Sequence, residues 1–133
     1  MIGVRSGRLS PLGTGPHGVS SQAAHADRRV EALYFSGDSK ESWDILESLV
    51  AELPRTRLIK KDHSYMHWVC RSLVWGFIDD LEFLVDAGGS RIEVRSAARM
   101  GYWDMNVNAR RIEAIRTRYY SILHGERAPF QES

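Results

Sequence analysis

The amino-acid sequence predicts one α+β domain: an antiparallel sheet of about five strands with two helices on one face, in the order β-α-β-β-β-β-α. Three observations carry this expectation. The 133 residues, 43% of them hydrophobic, suit a single domain with its own core. Two stretches repeat apolar residues at helical spacing, one ahead of the strand-rich middle and one after it. The strand-like stretches between them follow one another through short turns, which antiparallel neighbours permit and parallel crossovers do not.

Residues 1–28 contain five Gly, two Pro and four Ser among the first 26, and read as an irregular N-terminal arm. The domain is expected over 29–125, with a tail at 126–133. Residues 29–35 alternate loosely and predict the first strand. Ser36-Gly37-Asp38 then makes a turn. Asp38 stands three residues before Glu41, an acidic form of the capping box, and opens a helix. Trp43, Leu46, Leu49, Val50 and Leu53 share one face of it, and Pro54 stops it.

Leu58 to Lys61 and Tyr65 to Trp75 follow as strands, the second rich in aromatic and β-branched residues. Gly76-Phe77 allows a turn. Around Gly88-Gly89 the pattern predicts a hairpin with a two-residue turn at positive φ. That centre sets Val85 opposite Ile92 and Phe83 opposite Val94 on one face. It sets Asp86 against Arg91 and Glu82 against Arg95 on the other. Finally, Asn108 is placed to cap a helix that runs to Leu123, with Ile112, Ile115, Tyr119 and Ile122 in one stripe and Gly125 closing it.

Charge is distributed unevenly behind a net value of +1. Residues 61–90 hold five acids and two basic side chains, whereas from residue 91 onward eight Arg face five acids and Lys is absent. The two segments are expected to pair, because a guanidinium fork meets carboxylates bidentately. The small total leaves no global field for DNA, RNA or an anionic membrane. No apolar run is long enough to span a bilayer as a helix.

Candidate chemistry is sparse. His63 and His67 would lie on one side if a single strand ran through both. A metal there would need distant acids to complete its set, so a hydrogen-bonded strand histidine is expected. The single Cys70, mid-strand among aromatics, reads as a buried thiol of low reactivity. No cofactor or metal is expected. Asp79 and Asp80 are neighbours on a strand and point to opposite faces, so they do not share an ion. A polar stretch from Arg95 to Asn108, leading to Arg111, combines Arg, Asp, Asn and aromatics before a helix. With Asp79, Asp80 and Glu82 it defines a candidate cluster of Arg95, Ser96, Arg99, Asp104, Asn108 and Arg111. The cluster is either an internal network, with Arg99 on Asp80, or a seat for a carboxylate or phosphate.

Those residues carry a resemblance. Phe77-Ile78-Asp79-Asp80-Leu81-Glu82-Phe83, then Arg95-Ser96-Ala97-Ala98-Arg99, Gly101, Asp104 and Asn108, then Arg110-Arg111-Ile112, resemble the hallmark of domain-of-unknown-function family 1499. Pro16-His17-Gly18-Val19-Ser20-Ser21-Gln22 is similar to a further segment of it. The family pattern has two cysteines near the start, where this chain has Leu12 and Gly18; Ala98 replaces a hallmark Ser and Asn106 a loop Gly. The resemblance implies a shared fold and no settled activity.

The expected function is a non-catalytic interaction or scaffold domain, an accessory subunit docking protein partners through its N-terminal arm and C-terminal tail. An intracellular, organellar setting is expected, mitochondrial ahead of plastid, from the acid-free first 26 residues and from organellar members of the family. The alternative is a small-molecule or anion-binding protein, or an undescribed enzyme, built on Asp80, Glu82, Arg95, Arg99, Asp104 and Asn108.

Overall fold

The computed structural model describes residues 2–13, 17–73, 76–100 and 105–125. Four long strands make the centre of the fold: β5 (Thr56–Lys61), β6 (Tyr65–Arg71), β7 (Ile78–Asp86) and β8 (Arg91–Ala98). Two helices, α1 (Ser39–Ala51) and α2 (Met105–Leu123), flank them in sequence. Short strands precede: β1 (Val4–Arg5) pairs with β2 (Arg8–Leu9), while β3 (Gly18–Ser20) and β4 (Leu33–Tyr34) both pair with β8. The main sheet runs β3-β8-β7-β6-β5, every pair antiparallel. From β4 onward the element order is the expected one.

The β7–β8 register is the predicted one: Val85 faces Ile92, Phe83 faces Val94, Glu82 faces Arg95 and Asp86 faces Arg91. The turn differs. Ala87–Gly89 form a 3₁₀ turn, and Ser90 after it, with φ 52°, takes the left-handed position that the glycines were expected to take. Asp86 stabilises this turn by accepting a bond from the Gly89 amide.

Alternation gives the sheet two unlike faces. Met66, Trp68, Cys70, Leu81, Phe83, Ile92 and Val94 point to the helices and pack with Trp43, Leu46 and Val50 of α1 and Ile112, Ile115 and Tyr119 of α2. The opposite face carries Tyr65, His67, Asp80, Glu82, Glu93 and Arg95, and these are buried too. The N-terminal segment covers part of it: Leu9 packs with Tyr65 and Leu84.

Several expectations are corrected. The arm at 1–28 is not irregular throughout, because β1 and β2 form a hairpin and β3 joins the main sheet. The strand read at 29–35 shrinks to Leu33–Tyr34, with Arg29 bridging Ser20 in a parallel sense. The strand from Tyr65 ends at Arg71, and Val74 and Trp75 lie outside the described residues. Helix α2 begins at Met105, so Asn108 lies inside the helix rather than capping it. Asp38 does cap α1, accepting from the Lys40 amide at 2.9 Å. The α2 stripe holds through Tyr119 and opens at Ile122, which is 36% exposed.

Candidate functional site

The strand period sends the candidate residues into two separate networks, one on each face of the sheet. On the helix-free face, Glu82 is fully buried and accepts from three groups. Tyr65 Oη donates to its Oε1 at 2.5 Å, the Gly3 amide to the same oxygen at 2.9 Å, and Arg95 Nη1 to Oε2 at 3.1 Å. Arg95 is buried as well. Its Nε donates to the Ser10 carbonyl at 2.9 Å and its Nη2 to the Pro11 carbonyl at 3.3 Å. The Glu82–Arg95 pair is thus closed by the backbone of the N-terminal segment, which supplies the hydrogen bonds that a buried ion pair requires.

Beside it, Asp80 is held by Arg99 through two bonds, Nη2 to Oδ1 at 2.7 Å and Nε to Oδ2 at 3.2 Å. His67 Nε2 also meets Oδ1, at 2.7 Å. Burial opposes ionisation of Asp80, but the His67 and Arg99 hydrogen bonds and the Arg99 charge outweigh it and hold the carboxyl at about 2. An ionised carboxylate only accepts, so His67 Nε2 carries the proton in this contact. Burial, with the Glu82 contact next, pushes the Tyr65 phenol well above its ordinary value, so it remains a donor.

The second network lies under α2. Arg111 Nη2 pairs with Asp79 Oδ2 at 3.0 Å, and its Nη1 donates to Ser96 Oγ at 3.0 Å and Asn108 Oδ1 at 2.7 Å. Ser96 Oγ donates to Asn108 Oδ1 at 2.7 Å, and Asn108 Nδ2 reaches the His17 carbonyl at 3.3 Å. This explains why Asn108 is helical: its amide ties α2 to β8 and to the backbone ahead of β3, an arrangement that a cap would forgo. Cys70 lies opposite Asp79 in register, and burial raises its thiol pKa.

The structure therefore brings Asp80, Glu82, Arg95 and Arg99 to one face, and Asp79, Ser96, Asn108 and Arg111 to the other. Asp104 lies outside the described residues. Tyr65, His67, Gly3, Ser10 and Pro11 are members that the sequence reading did not include. Tyr65 and His67 share strand parity with the Glu82 face, a signal that becomes usable only with the β6–β7 register. No group of three or more His, Cys, Asp or Glu among the described residues is arranged to hold a metal ion.

An α+β scaffold whose signature carboxylates and arginines neutralise one another defines the class of protein. A family model described as a protein of unknown function (DUF1499) matches residues 8–118, and the chain belongs to that family. No curated protein and no solved structure matches it.

Proposed function

We propose that the chain is a non-catalytic interaction domain, an accessory subunit of a larger protein assembly. The supporting observation is the use of Arg95, whose three guanidinium nitrogens go to Glu82 and to the Ser10 and Pro11 carbonyls. Arg99 and Arg111 are similarly engaged by Asp80 and by the Asp79–Ser96–Asn108 group. An anion-binding site needs donors directed at a ligand; here the donors of the signature are directed at the fold. This favours a scaffold role for the signature over the binding alternative.

The N-terminal segment through Pro11 lies on its own sheet, which accounts for its order without a partner. Partner docking then falls to the surface beyond it; the proposed tail at 126–133 lies outside the described residues. An organellar host, mitochondrial ahead of plastid, remains part of the proposal and rests on the acid-free first 26 residues and the family likeness. Native purification from subcellular fractions, with identification of co-migrating chains, tests both parts. Co-migration at fixed stoichiometry in an organelle fraction is the expected result. Isolation as a free monomer would sink the subunit reading.

A further inference from the structure

The two edges of the main sheet are finished differently. On the β8 side, α2 satisfies the backbone of β4 and of the residues before it. Tyr120 Oη accepts from the Tyr34 amide, Tyr119 Oη donates to the Tyr34 carbonyl, and Arg116 donates to the Glu31 and Ala32 carbonyls. On the other side β5 ends the sheet, with β6 as its only pairing partner among the described residues. Among those residues no backbone bond from outside that pair reaches residues 56–61. In an antiparallel pair only alternate residues direct their backbone groups at the neighbour. The outer side of β5 is therefore a row of open N–H and C=O groups. All six of its residues are at least partly exposed.

The same edge carries charge in register. Arg57 lies opposite Val69 and Lys60 opposite His67. Val69 and His67 are two apart on β6 and share the helix-free face, yet Arg57 and Lys60 are three apart on β5. The register shift between Leu58 and Lys60 absorbs the extra residue, Ile59. Without that bulge the two cations would point to opposite faces. With it they are successive side chains of one face, roughly 7 Å apart along the strand. Lys60 Nζ lies 5.9 Å from the ring centroid of Tyr65, a residue of that same face. Lys61, opposite Met66 on the other face, pairs with Glu47 of α1. Among the described residues no ion pair reaches Arg57, Lys60 or Arg71, the β6 residue that follows Val69 on the helix-free face.

We propose that β5 receives an extended acidic peptide as an added strand, with carboxylates at alternate positions meeting Arg57 and Lys60 on the helix-free face. This rests on the interaction-domain reading above and names the chemistry of the partner. The open backbone row supplies hydrogen bonds to any extended chain, and the charge selects among them. A second copy of β5 would set cations against cations, which is destabilising across a ladder. Bulges and lysines keep a bare edge from pairing indiscriminately, so a chain that docks here brings the opposite charge. A nucleic acid would engage the cations but offers the edge no alternating row of N–H and C=O groups.

Fluorescence anisotropy with a short capped peptide alternating Glu and Thr tests this, together with amide hydrogen exchange of residues 56–61. Binding that weakens with salt and slows exchange along β5 is expected. A peptide of the same composition with its Glu in one block binds roughly threefold more weakly, because part of its carboxylates then face away. Arg57→Gln with Lys60→Gln loses about tenfold, roughly threefold per cation. Arg57→Glu with Lys60→Glu transfers the preference to a peptide alternating Lys and Thr. Both sites are exposed, and thermal melting confirms that the variants fold. No binding, binding without protection of β5, or equal binding of the alternating and blocked peptides overturns the proposal. So does dimerisation of the free protein through β5, or tighter binding of single-stranded RNA that the same substitutions abolish. Co-migration with a partner at fixed stoichiometry but no peptide binding would remove this proposal and retain the subunit reading. Peptide binding by a chain isolated as a free monomer would do the reverse.

Discussion

A methyl carbon of Leu12 lies 2.9 Å from the point that a Cβ on Gly18 would occupy, so Leu12 fills the space that Gly18 leaves open. The same point is 2.5 Å from the Ala97 Cβ, the residue across the β3–β8 ladder. By the resemblance, Leu12 and Gly18 take the places of two cysteines in the family pattern, and here the Leu12 side chain packs against the bare Gly18 backbone. Gly18→Ala is expected to cost about 1–3 kcal/mol by overpacking. Adding Ala97→Gly removes the closest clash and recovers part of that loss, as urea denaturation of the single and double variants will measure.

Glu82→Gln leaves Arg95 buried without its countercharge. A loss of about 3–5 kcal/mol is expected, as for other buried pairs broken on one side. Deleting residues 2–11 removes the Gly3, Ser10 and Pro11 contacts to the same pair. The two changes should therefore combine less than additively. Full additivity in chemical denaturation would mean that the N-terminal segment and Glu82 are not coupled.

Asp80 makes stability fall in acid. Its folded value, about 2, lies below the ordinary 3.8, so its contribution is complete above the unfolded value and is lost as pH falls through the folded one. The amount is about 2 kcal/mol, and the window runs from about pH 5 down to pH 2. Asp80→Asn should flatten that part of the stability–pH curve. An unchanged slope in the variant would assign the acid sensitivity to other carboxylates.

Asn108 distinguishes a helix cap from a buried knot. If it were a cap, Asn108→Ser would be tolerated. Its bonds to Ser96, Arg111 and the His17 carbonyl require an amide, so Asn108→Ser and Asn108→Ala should both cost about 1–3 kcal/mol. Equilibrium unfolding of the pair decides between the two roles.

Cys70 is 4% exposed and burial raises its thiol pKa, so a disulfide reagent at neutral pH should modify it only through opening of the fold. Labelling rates are expected to follow the stability of each variant above. Rapid modification of the stable wild-type protein would contradict the burial.

The β7–β8 hairpin is legible in the sequence because two strict alternations flank a glycine pair, and only one centring satisfies both the apolar and the charged partners. The same register yields Glu82–Arg95, while Arg99–Asp80 follows from the strand exit. Tyr65 and His67 stay hidden because the strand pattern reads on to Trp75 before the Gly76-Phe77 turn signal, whereas the strand ends at Arg71, so the sequence does not set the β6–β7 register. Asn108 misleads for a different reason: its cap propensity is local, and the tertiary bonds that overrule it involve residues 12 and 91 positions away. The covering of the second face is the least visible feature, since its bonds to Arg95 come from backbone carbonyls, which every residue has.

The bonds from Gly3 to Glu82 and from Arg95 to Ser10 join residues 79 and 85 positions apart. During synthesis the segment carrying Gly3 and Ser10 therefore leaves the ribosome long before its partners exist. Contacts of such separation are slow to close, so this segment is expected to dock late, onto a sheet already paired. Glu82 and Arg95 can then find each other while that face is still hydrated, and the last strap to arrive excludes the water.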